Sequence, residues 1–318
     1  MRVTVVGQAP GATPKGKVDR PSIYEVLGAE NTGASPTGST FWKSLMGCPR
    51  EHALGHIAKI RPVYAGDPLT LGWAWHYVLE IYYCERQRLG IAEDASSAAA
   101  NAAFVPILML EGHADYRDMG GKLRAMFDTY LDTYESHDKW EILAVEETVQ
   151  YEGAFNWSAR LDLVVRDLDR GGLWVVEHKS ARTISTELLD NYQLDLQILG
   201  QVWLVEQCID VRQYDPFRGV VVNVTSTGQK QPQCARVDVL PSRPHLEAFE
   251  RTGLGLVQIR RQAEKLQWPQ YLGHCSGYAR GYSRCSYFDL CHDFPQISVA
   301  EWADPEIELP PTYTRDAA

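Results

Sequence analysis

Residues 157–180 read WSARLDLVVRDLDRGGLWVVEHKS, two short Val-rich apolar runs around a DLDRGG turn, and their reading decides the fold. Leu161–Val165 and Leu173–Val176 have the length and β-branched content of strands, and Gly171 and Gly172 supply the backbone freedom of a tight hairpin. With the turn centred on Asp169 and Arg170, positions summing to 339 face each other, so Asp162 stands opposite Glu177. Moving the centre by one residue puts Asp162 opposite Lys179 instead. Side chains alternate with a period of two, so Asp162, Glu177 and Lys179 share one face in either register. Only a bulge or an odd-length loop would separate them.

Two carboxylates and a lysine gathered on a sheet face suit phosphodiester hydrolysis. Asp162 and Glu177 offer hard oxygen ligands for Mg2+ or Mn2+, with the His178 carbonyl as a third. Such a cation polarises a phosphoryl oxygen and lowers the pKa of a bound water. Lys179 then orients that water or offsets the charge that develops in the transition state. An E-x-K triplet by itself is more often an ordinary solvated Glu-Lys pair, so the decision rests on its surroundings.

Around this hairpin, 318 residues with 45% hydrophobic and 23% charged residues describe a packed globular protein. No run approaches the ~18 apolar residues of a membrane span. The opening MRVTVVGQAPG lacks a secretory signal, so a cytoplasmic protein without membrane contact is expected. The net charge of -10 argues against a protein that coats DNA through bulk electrostatics. Local basic groups (Arg50, Lys59, Arg61, Lys122, Arg124, Arg260, Arg261, Lys265) leave room for a basic cleft in an acidic shell, or are simply solvated helix faces.

Residues 1–40 read as an irregular arm after a strand at Val3–Val6. Within it, Gly11 and Gly16-Lys17 have phosphate-loop spacing, but Val18 stands where a Ser or Thr must hold Mg2+, so no ATP site is expected. Residues 41–137 read as helical, with apolar positions at helical spacing in FWKSLMGCPREHALGHIAKI and LTLGWAWHYVLEIYY. Residues 138–240 hold the strands EILAVEETVQY, GVVVNVTS and CARVDVL besides the hairpin, with a helix over 187–207. A helix over 244–265 and a cysteine segment complete 241–295, and 296–318 is an acidic, Pro-containing tail.

Seven cysteines in a reducing compartment favour metal ligation or plain burial over disulfides. Cys84, Cys208 and Cys234 read as small buried apolar residues. Cys275, Cys285 and Cys291 fall in an irregular Gly-containing segment, where soft thiolates select zinc or an iron-sulfur cluster; with zinc, His274 or His292 would serve as replacement ligands. His52 and His56, at i and i+4, read as a surface pair rather than a chelate. Trp73, Trp75, Tyr82 and Tyr83 form an aromatic stripe, either core or a stacking platform for bases. Glu146 or Glu147, on the preceding strand, is a further candidate for contact with water or metal.

Taken in order, Cys48 in GCPREHALGHI, the stretch LGWAWHYVLEIYY, the EHKS strand, NYQLDLQILGQVWL and the three C-terminal cysteines resemble the PD-(D/E)XK nuclease superfamily. Within it the chain is most similar to RecB-like exonucleases, including CRISPR-associated iron-sulfur nucleases and phage-borne relatives. The resemblance covers about residues 41–295 and lies in order and spacing. It implies an α/β, restriction-endonuclease-like core: a mixed central sheet flanked by helices, an N-terminal helical region and a C-terminal iron-sulfur clip. His76 would be an upstream ligand for Mg2+ or Mn2+ beside Asp162, Glu177 and His178, and Gln197 would join Asp162, Glu177 and Lys179 in catalysis. Cys48, Cys275, Cys285 and Cys291 would bind a 4Fe-4S cluster, with zinc as the other metal, and Arg160, Tyr192 and Gln193 would touch nucleic acid. The sequence departs from the pattern in three places. Gln201 stands where the family's Q-x3-Y has its tyrosine, the cysteine spacing is C-x9-C-x5-C, and Ala159-Arg160 replaces the Gly before the catalytic Asp.

The expected activity is divalent-metal-dependent exonucleolysis of single-stranded or frayed DNA in recombination, repair or end processing, in company with recombination or replication proteins. The rival reading is a catalytically silent nucleic-acid-binding or scaffold protein that keeps the fold and the cluster.

Overall fold

The computed structural model describes residues 22–29, 37–62, 67–90, 95–208, 216–228, 231–275 and 285–315. The expected Val3–Val6 strand and the Gly16-Lys17 segment lie outside these residues.

The chain enters through α1 (Ile23–Leu27), started by a reciprocal Ser22–Glu25 capping box within the stretch expected to be irregular. The next helical pattern, expected to run continuously from residue 41, is divided into α2 (Ser39–Gly47) and α3 (Pro49–His56). Pro49 is the physical reason: it disfavours helical backbone at the residue before it, and Cys48 is extended at φ −158°. After β1 (Ile60–Pro62) come α4 (Asp67–Leu89), α5 (Ala95–Gly112) and α6 (Arg117–Tyr134). On α4, Leu71, Ala74, Trp75, Val78, Leu79, Tyr82 and Tyr83 repeat at three- and four-residue spacing and all are buried. Trp75, Tyr82 and Tyr83 are therefore core residues and offer no platform for bases.

A five-stranded sheet follows: β2 (Trp140–Tyr151), β3 (Trp157–Asp167), β4 (Leu173–Ala181), β5 (Phe217–Ser226) and β6 (Cys234–Val239), in that spatial order. All neighbours are antiparallel except β4 and β5, which are parallel. That parallel pair requires a long crossover, supplied by α7 (Thr186–Asn191), a 3-10 turn (Tyr192–Leu194) and α8 (Leu196–Cys208). A single helix was expected here. Asp195 is extended (ψ 132°) and its carboxylate accepts the Gln197 N–H at 2.7 Å, which restarts the helix. The long helix α9 (Arg243–Lys265) then packs against α8 and α2.

Alternation along the strands divides the interior into two cores. Trp174, Val176 and Val221 join α4, α5 and α6, whereas Val175, Val220 and Val222 join α2, α8 and α9. The β3–β4 hairpin keeps the expected register, pairing Leu163 with Val176 and Arg166 with Leu173. Asp167 shapes its turn by accepting the N–H groups of Asp169 and Arg170, and Gly171 and Gly172 adopt left-handed φ of 72° and 87°.

The C-terminal stretch forms a third core with α3. It comprises α10 (Leu272–Cys275), α11 (Phe288–Asp293), α12 (Val299–Trp302) and β7 (Tyr313–Arg315), which pairs antiparallel with β1. The residues read as a tail are thus ordered at Trp302, which is 1% exposed, and at Tyr313. Among the described residues, no helix is long and apolar enough to cross a membrane.

Candidate active site

The β3–β4 ladder ends at Leu163–Val176, one step before Asp162 and Glu177 would pair. Instead of a strand carbonyl, Oδ2 of Asp162 accepts the His178 N–H at 2.7 Å. The same oxygen lies 3.3 Å from Nδ1 of His76 on α4. On the other side, Glu146 of β2 sits between the pairs Val145–Leu163 and Glu147–Leu161, and so across from Asp162. Glu146 has a left-handed φ of 52°, a conformation that costs a non-glycine residue about 1–2 kcal/mol. Donor atoms of His76, Glu146 and Asp162 lie within 4.8 Å of one another, as a shared cation requires.

Glu177 stands beside this trio with both oxygens engaged. Lys179 Nζ donates to its Oε1 at 2.5 Å and Gln197 Nε2 to the same atom at 2.6 Å, while Gln201 Nε2 donates to Oε2 at 2.5 Å. Lys179 also donates to Oε1 of Gln197 at 2.9 Å. The hairpin therefore brings Asp162, Glu177 and Lys179 together, and α8 adds the two glutamines from above.

Charge is concentrated here out of water. Burial and then the neighbouring Asp162 push the Glu146 carboxyl up to about 8. Burial and Asp162 likewise raise Glu177. Asp162 goes the other way: burial would raise it, but His76 beside it outweighs that and holds it well below the usual carboxylate range. Burial works against the charged forms of His76 and Lys179. Asp162 overcomes it for His76, and Glu177 with Asp162 overcomes it for Lys179, so both are raised. The His178 ring, lowered to about 3 chiefly by burial, is stacked on Tyr83 behind the site, and Asn223 lies between it and Tyr130.

Other expected residues take different places. Arg160 pairs with Glu146 at 2.7 Å. Gln193 donates to the Asp238 carbonyl on β6 at 3.1 Å, and Tyr192 is half-buried near Lys179. Arg50 is buried and donates to the Ile297 carbonyl, and Arg124 is paired with Glu111, so neither serves a basic cleft. Cys84 and Cys208 are exposed and Cys234 half-buried, against the expected burial. His52 is fully buried against Phe41 and Trp268, not at the surface. Glu80 was passed over; it lies one turn after His76 on α4, and burial raises its carboxyl against the opposing charges of Arg160 and His76. The i, i+4 spacing from His76 was the signal for it.

Cys48, Cys275, Cys285 and Cys291 are each at most 6% exposed. Burial raises Cys275 and, more strongly, Cys291, whose thiol is pushed up to about 11; both also feel the Cys48 thiol. Soft donors thus meet in one region in kind. Among the described residues, however, the close donor group there is Glu51, His274 and Cys285, and no four sulfurs converge.

The model of the PD-(D/E)XK nuclease superfamily matches residues 40–292. Among solved structures, the chain is similar to a protein named as a candidate exonuclease from Eubacterium rectale, with a TM-score of 0.44 and 9% identity, covering 81% of this chain and 92% of that one. It is also similar to SSO0001, with a TM-score of 0.27 and 14% identity, covering 56% of this chain and 74% of that one. No curated protein matches the sequence.

Proposed function

The chain belongs to the PD-(D/E)XK nuclease superfamily, and from that premise we propose that it is a divalent-metal-dependent deoxyribonuclease acting as an exonuclease on single-stranded or frayed DNA ends. The observation that carries this reading is the convergence of His76, Glu146 and Asp162 beside Glu177 and Lys179. Two carboxylates and an imidazole within 4.8 Å are a donor set that Mg2+ or Mn2+ accepts. The strained backbone of Glu146 supports a functional origin for that convergence, since such conformations persist where the surroundings impose them.

In this reading His76, Glu146 and Asp162 hold the cation, with Glu177 and the His178 carbonyl beside them. The bound cation supplies Lewis-acid chemistry: it polarises the phosphodiester and lowers the pKa of a water. The His178 N–H fixes the orientation of the Asp162 carboxylate. Lys179, kept charged by its carboxylate neighbours, orients the attacking water or offsets charge on the phosphoryl oxygens. Residues 41–295 would act as the nuclease domain, and Arg160, Tyr192 and Gln193 would lie along the path of the strand. The four buried cysteines fit a thiolate-bound metal in donor type, and we assign them to a 4Fe-4S clip, zinc being the other metal that such donors take.

The test is incubation of purified protein with end-labelled linear and covalently closed circular single strands, with Mn2+, Mg2+ or EDTA. Linear strands should be shortened from an end and circles should persist. Asp162→Ala should lower the rate about a hundredfold or more at a temperature where circular dichroism shows the variant folded. Rapid cutting of circles would make the enzyme an endonuclease. Binding of strands without any turnover in either metal would favour the scaffold reading.

A further inference from the structure

We propose that Gln201 is a positioning residue that holds Oε2 of Glu177 and so sets how that carboxylate is presented to the cation site. The inference rests on the metal-dependent reading above. Gln201 is fully buried on α8, one turn after Gln197. The two amides divide the carboxylate between them: Gln197 Nε2 donates to Oε1 at 2.6 Å and Gln201 Nε2 to Oε2 at 2.5 Å. Their positions are not equivalent. Oε1 keeps Lys179 as a second donor at 2.5 Å if Gln197 is removed. Among the described residues Gln201 alone donates to Oε2, so its removal leaves the carboxylate free to rotate toward Lys179.

A second observation separates this role from simple packing. The Oε1 atom of Gln201 is buried without a hydrogen-bond partner. A buried amide with an unmet carbonyl is unfavourable, and an apolar side chain of similar volume would avoid that cost. The amide orientation follows from its partner, since Glu177 already accepts from Lys179 and Gln197 and the flipped form would set the Gln201 carbonyl oxygen against a carboxyl oxygen. Gln201 is thus poorly suited to the core in which it sits and well suited to one partner, Glu177. Residues that orient a metal's ligands through hydrogen bonds behave in this way. In the family pattern a tyrosine stands at this place, so the hold on Glu177 by an amide belongs to this chain.

The experiment compares wild type, Gln201→Met and Gln201→Leu by calorimetric titration with Mn2+, by thermal melting, and by steady-state cleavage of linear single-stranded DNA. Both variants should melt within a few degrees of wild type, because loss of the unmet Gln201 carbonyl offsets the donor withdrawn from Oε2 of Glu177. Both should bind Mn2+ about tenfold more weakly and show kcat lowered about 10- to 100-fold with KM for DNA unchanged. Wild-type Mn2+ affinity and kcat in a stably folded variant would overturn the inference. A fall in melting temperature that accounts for the loss of binding in both variants would overturn it as well. If wild-type protein binds Mn2+ and Asp162→Ala does not, the metal reading stands whatever Gln201 does. Wild-type protein that binds no Mn2+ overturns both.

Discussion

Glu146 shows at the scale of one residue how a local cost accompanies a site. Its left-handed φ of 52° is a conformation that glycine adopts freely, yet the side chain it carries faces Asp162 and His76. Replacing Glu146→Gly should leave stability within about 1 kcal/mol, because relief of the backbone strain offsets the greater freedom of glycine in the unfolded chain. Mn2+ binding by calorimetry and the cleavage rate should nonetheless fall at least tenfold. Unchanged Mn2+ affinity in that variant would remove Glu146 from the ligand set. The sequence marked this strand position only as one of two candidates, since φ is set by the pairing with β3 and cannot be read from residue type.

At the scale of elements, the seat of α8 on the sheet decides whether Gln197 and Gln201 reach Glu177. Gly200 lies so close to Trp157 of β3 that a Cβ there would meet the indole at 2.5 Å. Gly200→Ala should therefore lower stability by about 1–3 kcal/mol, and by displacing the helix should lower kcat in parallel; thermal melts and cleavage rates check both. On α3, burial above all lowers His52 and His56 to about 4, with the charges of His56 and Arg260 adding to it at His52 and those of Arg61, Lys59 and Arg260 at His56. Between about pH 6.5 and about pH 4 the unfolded chain binds protons that the folded chain excludes, so stability is full above that window and declines as pH falls through it. For fully buried His52 the loss is on the order of 3 kcal/mol. Denaturant melts at pH 7 and pH 5 should show this, and His56→Gln should make the decline shallower.

Across the molecule, the sheet carries a core on each face while a third core joins α3 and β1 to the C-terminal stretch. In that third core Tyr287 donates to the Ile60 carbonyl at 2.9 Å, Arg50 donates to the Ile297 carbonyl, and β1 pairs with β7. Cys285 and Cys291 lie in this core and Cys48 immediately precedes α3, so a metal there would reinforce a contact the protein already makes. Protein prepared without oxygen should be brown, with absorbance near about 400 nm. Cys285→Ser should bleach it and bring forward an early melting step, leaving the transition of the sheet cores in place. Colourless protein with stoichiometric zinc would replace the iron assignment.

The hairpin register, the two-sided sheet and the grouping of Asp162, Glu177 and Lys179 were determined by the sequence itself, because strand periodicity and turn chemistry are local and act over a few residues. Pro49 likewise carried the break between α2 and α3, although helical spacing alone ran through it. What only the tertiary structure decided are the long-range meetings: Glu146 across from Asp162, Arg160 drawn to Glu146 instead of outward, and Gln201 closed on Glu177. Each depends on how far two elements approach and on which charges remain when water is excluded between them. Those quantities arise when the elements pack together, and they have no counterpart in the spacing of residues along the chain.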